Sequence, residues 1–378
     1  MKLKIILLLG ILIAILSLFL LSKYDIMNNV NNDNFNKLEK LNYSKEVINL
    51  IIDNNIDDYL IKDNIYSKTL EEALIQDKYY DSNLEIYCVI KYVDKDDFID
   101  NLNKLIELGY SKDEIDKLFN YLDDTDITVI SNSNEKYNEI INYCKNDKFI
   151  LNYYNRYIDY KSKNQQYDYD TIIKYVNIGI DYPFFENIKE SANKYTELVL
   201  INKYYKVDEN YIPKNLETLD ISCASNSNIY MENVAKEAFE NMCMDARSIG
   251  FTIKGISGYR SYISQENIYN GYLKNDPQSV VDTYSARPGH SEHQSGYVID
   301  VYNVALPYTS FGDTNEYVWV KNNARKYGFI VRYEKNKEFI TGYKSEPWHL
   351  RYVGIDAADY ISKNNITLEE YLYEKGKI

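Results

Sequence analysis

Histidine and tryptophan are almost missing from this chain, which has three of one and two of the other in 378 residues. So few histidines would not be expected to cluster by chance, and their positions carry weight. Cysteine is scarce as well. Cys88, Cys144, Cys223 and Cys243 are too few and too widely spaced for a disulfide framework or a cysteine-ligated zinc site. Buried free thiols are the expectation, with Cys223 and Cys243 the pair that an exported chain could join. A basic excess is absent: 43 Lys and Arg stand against 57 Asp and Glu, a formal net charge of −14. That balance excludes a protein held to nucleic acid by electrostatics, and one docked on anionic lipid by a basic patch. No Lys-Thr-Gly accompanies the Ser-x-x-Lys matches at Ser133–Lys136 and Ser191–Lys194, which excludes the serine chemistry that needs both motifs. Proline (6) and glycine (14) are rare while tyrosine reaches 41. Codon bias in the source genome accounts for that skew without any function.

The N-terminus is a different kind of sequence. After "MKLK" the run Ile5–Leu21 is uncharged and apolar, near the lower length limit for a helix that crosses the hydrocarbon core. Lys2 and Lys4 precede it, and Lys23 and Asp25 follow, which places the N-terminus inside and the rest outside the cell. The small residues of a cleavage site are missing around Ser22. Residues 1–24 are therefore expected to be an uncleaved signal-anchor, single-pass in the cell membrane, with a polar linker over 25–35.

From 36 to 194 the apolar spacing is helical. One phrase recurs: "LEKLNYSKEVINLI" from Leu38 and "LIELGYSKDEIDKLF" from Leu105, with Tyr43 and Tyr110 in register. A weaker copy, "VNIGIDYPFFENI", puts Tyr182 in that place. Ser44 and Ser111 have the character of helix N-caps, and Ser111 with Glu114 makes a capping box. Each copy should end one helix at Asn42 or Gly109 and start the next. The period of about 70 residues predicts stacked helical hairpins, either a spacer or a binding surface for a polymer or partner.

Beyond about residue 195 the pattern changes to short strands mixed with helices, an α+β domain over 195–378. "FTIKGISGYRS", "SGYVIDVYN", "GFIVRYE" and "EPWHLRYVG" read as strands, and "NIYMENVAKEAFENMCMDARSIG" as a helix stopped by Gly250. All three histidines lie here. His293 and Asp300 flank a turn that Gly296 permits, and His349 follows Glu346 and Pro347 in "EPWHLRY". Two imidazoles and a carboxylate are a common catalytic zinc set. Pro347 interrupts regular pairing, so Glu346 can share a face with His349. Spacing alone leaves His290 as a possible ligand in place of His293, and leaves open three purely structural histidines.

"SGYRS" at Ser257–Ser261, "YSARPGHSEHQSGYVIDV" at Tyr284–Val301 and "ITGYKSEPWHLRYVG" at Ile340–Gly354 together resemble the VanY-type D-alanyl-D-alanine carboxypeptidases, zinc peptidases of bacterial cell walls. The family's Ser-x-His-x-x-Gly-x-Ala-x-Asp runs here through Ser291, His293, Gly296, Val298 and Asp300, with Val298 in place of the usual alanine. The resemblance spans about Leu198 to Leu372 and implies a small antiparallel sheet with flanking helices. It also implies one Zn2+ held by His293, Asp300 and His349, with Glu346 as general base and Arg260 facing the reacting carbonyl. Gln265, Ser291, Tyr343 and Trp348, together with Arg260, are expected to bind substrate, and His290 drops out of the ligand set. The implied substrates are peptidoglycan stem peptides ending in D-Ala-D-Ala. An LD-carboxypeptidase acting on tetrapeptide stems, or a non-catalytic wall-binding protein, are the alternatives.

Overall fold

The computed structural model describes residues 33–95 and 97–378. The expected signal-anchor over 1–24 lies outside the described residues; among those described, no helix is long and apolar enough to cross a membrane. The chain divides into two compact units, the first ending at Leu151.

The first unit is helical, as its periodicity requires, with helices from Lys45–Asp53 to Ile140–Cys144. The two good repeats behave alike. Asn42 and Gly109 take positive φ at 76° and 82° and end their helices. Ser44 Oγ then accepts from Val47 N at 3.3 Å. Ser111 Oγ accepts from Glu114 N while Ser111 N donates to Glu114 Oε2 at 2.7 Å, a complete capping box. The tyrosines shared by the repeats are buried, and their hydroxyls satisfy distant backbone. Tyr43 accepts from Ser67 N at 3.0 Å, and Tyr110 from Tyr137 N at 2.9 Å. The third copy fails. Pro183 stands where the cap serine should be, has no hydroxyl to accept a backbone N–H, and no helix starts there.

The second unit begins at Asn152, earlier than the boundary at 194/195 read from the sequence. The helices Tyr154–Lys163 and Tyr169–Ile178 belong to it. Lys174 Nζ meets Glu370 Oε1 at 3.0 Å, and the Tyr175 ring packs edge-on against Phe339. Helical periodicity continues across residue 151, so the sequence does not reveal on which core these two helices pack.

Two short pairs flank the main sheet: β1 (Lys189–Glu190) parallel to β2 (Tyr205–Lys206), and β3 (Leu216–Thr218) antiparallel to β4 (Tyr230–Glu232). The sheet itself has four antiparallel strands, β5 (Lys254–Ser257), β6 (Val298–Tyr302), β7 (Phe329–Tyr333) and β8 (Glu346–Tyr352), in the order β5-β6-β8-β7. Alternation divides its residues. Ile299, Val301, Phe329 and Leu350 join Phe239 and Met242 of the helix Asn233–Ser248 in one apolar core. Asp300, Arg332, His349 and Arg351 fall on the opposite face.

Cys223 and Cys243 are joined in a disulfide, which corrects the expectation of free thiols. Their Cα atoms lie 6.0 Å apart, within the usual reach of such a bond. The bridged loop also lies against β5: Gly255 N donates to Cys223 O at 2.8 Å and Ser225 N to Gly255 O at 2.9 Å. Cys144 is a buried thiol and Cys88 a partly buried one.

Candidate active site

The site forms where β6 and β8 run side by side. Asp300 pairs directly with His349 in the antiparallel register, so both side chains leave the sheet on the same face at close range. His349 Nδ1 lies 3.1 Å from Asp300 Oδ1. His293 arrives from the short 3-10 helix Glu292–Ser295, which ends at Gly296 with φ 76°. That left-handed residue turns the chain into β6, as expected of a glycine there. His293 Nε2 lies 3.3 Å from Asp300 Oδ2, and the two imidazoles meet edge to face at 5.1 Å between ring centres.

Glu346 shares this face because β8 bulges. Val331 pairs with Leu350 and Tyr333 with Glu346, so the single residue Arg332 of β7 spans Pro347, Trp348 and His349. Strict alternation from His349 would send Glu346 into the core, and the irregular register over these three residues is where the strand departs from that course. Its Oε2 sits 3.5 Å from His349 Nδ1.

Charge and burial sharpen the picture. Burial pushes the Glu346 carboxyl up to about 7, the range of a working general base. Burial would likewise raise Asp300, but the imidazoles of His293 and His349 hold it well below the usual carboxylate range. Burial lowers His293. It works in the same sense on His349, where the carboxylates of Asp300 and Glu292 prevail and push the imidazole up to about 9.

One donor atom from each of His293, Asp300 and His349 lies within 4.8 Å of the others. Asp300 Oδ1 is buried with no hydrogen-bond partner. His293 Nδ1 is engaged with Gly258 O at 2.7 Å, which leaves Nε2 free for the centre. These are the donors, the orientation and the unmet acceptor that a zinc ion would satisfy. His290 points elsewhere: its Nδ1 meets Asn202 O at 2.7 Å and its ring packs on Phe185.

The cluster opens into a cavity of about 490 Å³ lined by Arg260, Gln265, Ser291, Tyr343 and Trp348 among others. Arg260 Nη1 donates to Gln265 Oε1 at 2.7 Å and Nη2 to Ser257 Oγ at 2.9 Å. Gln265 Nε2 donates to Ala286 O at 2.7 Å. Although it borders the cavity, its polar atoms hold Arg260 in place. Ser291 is buried beside His293. The Tyr343 hydroxyl is buried and without a hydrogen-bond partner, and Trp348 packs edge-on against Tyr308 to form a wall. Val298, on the face shared with Asp300, is fully buried and pairs with Arg351 without displacing any donor.

Sequence reasoning missed Glu292, whose Oε2 lies 3.4 Å from His349 Nε2. In so acidic a chain one more glutamate draws no attention. A signal was nevertheless present: Arg332 and Arg351 interrupt the apolar strands "GFIVRYE" and "EPWHLRYVG", and a buried arginine requires a buried anion.

Comparison with known proteins identifies the family. The family model described as VanY, D-alanyl-D-alanine carboxypeptidase, matches residues 228–355. YodJ of Bacillus subtilis (strain 168), a carboxypeptidase by designation, is 37% identical over 224 residues, covering 58% of this chain and 81% of that protein. The bifunctional D-Ala-D-Ala dipeptidase and carboxypeptidase VanXYC of Enterococcus gallinarum is 32% identical, over 46% of this chain and 92% of its own length. Among solved structures, the LdcB LD-carboxypeptidase aligns with 38% identity over 50% of this chain and 91% of that one, with a TM-score of 0.47. The chain belongs to the D-alanyl-D-alanine carboxypeptidase family.

Proposed function

We propose that this protein is a zinc carboxypeptidase that removes the terminal D-Ala from peptidoglycan stem peptides ending in D-Ala-D-Ala. The observation that carries the reading is the convergence of His293, Asp300 and His349 with Glu346 at the floor of the cavity that Arg260 borders. His293 Nε2, an Asp300 carboxylate oxygen and His349 Nδ1 would hold the ion. When bound, zinc supplies a Lewis acid at the scissile carbonyl and favours hydroxide at neutral pH.

The chain's own groups do the rest. Glu346, with its carboxyl near 7, takes the proton of the attacking water and returns it to the leaving amine. Arg260, tied by Gln265 and Ser257, offers a fixed cation to the developing oxyanion. Tyr343 brings an unengaged hydroxyl to the cavity and Ser291 a second one, while Trp348 and Tyr308 close a side of it against water. The apolar run over Ile5–Leu21 supports a membrane anchor that leaves the peptidase outside the cell. The Cys223–Cys243 bond suits an oxidising compartment.

The test is incubation of the chain with synthetic muropeptides, with and without a chelator, followed by mass spectrometry. Chelator-sensitive loss of one D-Ala from the pentapeptide is the expected result. Cleavage of the tetrapeptide instead would make this an LD-carboxypeptidase. A protein that binds zinc and cuts neither would be tried next on endopeptidase substrates, and failure there as well would favour a wall-binding protein.

A further inference from the structure

Behind His349 lies a set of charges cut off from water. The side chains of Glu292, Arg332, Arg351 and Glu369 are each 0% exposed. Arg332 Nε donates to Glu292 Oε1 at 2.8 Å, and its Nη1 and Nη2 donate to the two oxygens of Glu369 at 3.0 and 2.6 Å. Arg351 Nη1 donates to the same Glu292 Oε1 at 2.8 Å, and Nη2 to the carbonyls of Glu197 and Val199. Two cations and two anions balance. A buried ion set of this kind is weak evidence of stability, since apolar residues of similar volume often serve as well. Its geometry points to another task. Both guanidiniums bond Glu292 Oε1, and Oε2 is left over. That oxygen lies 3.4 Å from His349 Nε2, within ion-pair range, and neither buried atom has a hydrogen-bond partner elsewhere or meets hydrogen-bond geometry with the other. The other nitrogen, Nδ1, faces Asp300 and Glu346.

We propose that Glu292 is a positioning residue that fixes His349 as the Nε2–H tautomer and thereby presents the Nδ1 lone pair to the metal. The proposal rests on the zinc reading given above. A carboxylate flanked by two guanidiniums stays ionised and can only accept a hydrogen bond. The nitrogen facing it must then carry the proton, and an imidazole that gives its other nitrogen to a metal has only that one proton. His293 is fixed the opposite way, with Nδ1–H donated to Gly258 O and Nε2 directed at Asp300. Each ligand's tautomer is thus set by an acceptor on the side away from the ion. Arg332 and Arg351 act one step further back, keeping Glu292 an anion so that it holds the His349 proton without taking it.

Two measurements test this on the full chain. With only three histidines, 15N-histidine labelling resolves every imidazole in a proton–nitrogen correlation spectrum of the zinc-loaded protein. His349 should carry its proton on Nε2 and His293 on Nδ1; a His349 proton on Nδ1 overturns the proposal. The second measurement is zinc affinity by chelator competition for Glu292→Gln and Glu369→Gln. Both remove a buried anion from Arg332, but only the first touches His349. Both should lower the thermal midpoint, whereas zinc affinity should fall by at least about tenfold in Glu292→Gln and stay within about threefold in Glu369→Gln. Equal losses in the two variants, or none in Glu292→Gln, would reduce Glu292 to a structural role and overturn the proposal. If Glu292→Gln does not fold, the tautomers in the unmodified protein decide alone. Wild-type protein that takes up no zinc would sink the zinc reading together with this proposal; uptake with the wrong tautomer sinks only the proposal.

Discussion

Glu346 holds an ionisable carboxyl in a place that suits chemistry better than folding. Its pKa is raised to about 7 by burial, so the folded state binds its proton more tightly than the unfolded state does. Between the unfolded value near 4.5 and pH 7 the folded protein therefore loses stability as pH rises, and above 7 the full penalty applies. Two outcomes follow for Glu346→Gln. Metal-free protein should be more stable than wild type at pH 8, by up to about 3 kcal/mol, with the difference gone by pH 4. The zinc-loaded variant should keep its metal yet lose at least about two orders of magnitude in kcat/KM. Near-normal turnover would remove Glu346 from its role. The ligand choice is tested separately by metal analysis: His293→Ala should lose zinc and His290→Ala should retain it, because His290 Nδ1 is committed to Asn202 O. The reverse pattern would require another donor set.

At the scale of elements, the strands of the sheet were legible, because "SGYVIDVYN" and "GFIVRYE" are short apolar runs rich in β-branched and aromatic residues. The bulge at Pro347 could be anticipated from the proline, and the turn at Gly296 from the glycine. Less could be read where a partner is distant in sequence. Glu292 gains its meaning from Arg332 and Arg351, strand neighbours that lie far along the chain. The helices Tyr154–Lys163 and Tyr169–Ile178 could not be assigned to a core by periodicity, which reports an apolar face without saying what covers it. The cysteine pair was legible only as an option. Its bridge closes a loop of 20 residues in sequence separation, a constraint worth about 3 kcal/mol on chain-entropy grounds. Because the bridged loop pairs with β5, which carries Ser257 and leads into Gly258, its loss should reach the site. Cys223→Ala/Cys243→Ala should lower the unfolding free energy by about that amount and weaken the anchoring of Arg260 and His293. Denaturant titration and kcat/KM check the two effects, and a variant unchanged in both would show that the bond is dispensable.

At the scale of the molecule, the apolar cores that support the sheet and its site draw only on residues of the second unit. A fragment of residues 152–378 should therefore fold cooperatively, take up one zinc ion and cut the same muropeptides as the full chain. A fragment started at 195 should be less stable, having lost the Lys174–Glu370 and Tyr175–Phe339 contacts. Calorimetry of the two fragments distinguishes them, and equal midpoints would return the boundary to the position read from the sequence.

The carboxylate that neutralises Arg332 belongs to the last helix, Leu368–Glu374. Synthesis runs the other way along the chain, so His293, Asp300 and His349 all leave the ribosome before Glu369 does. A message cut short just before Leu368 would encode every metal donor and the general base, yet leave a guanidinium under the sheet with half of its counter-charge missing. The groups that do the chemistry are thus made first, and one of the two carboxylates that neutralise Arg332 is made after them.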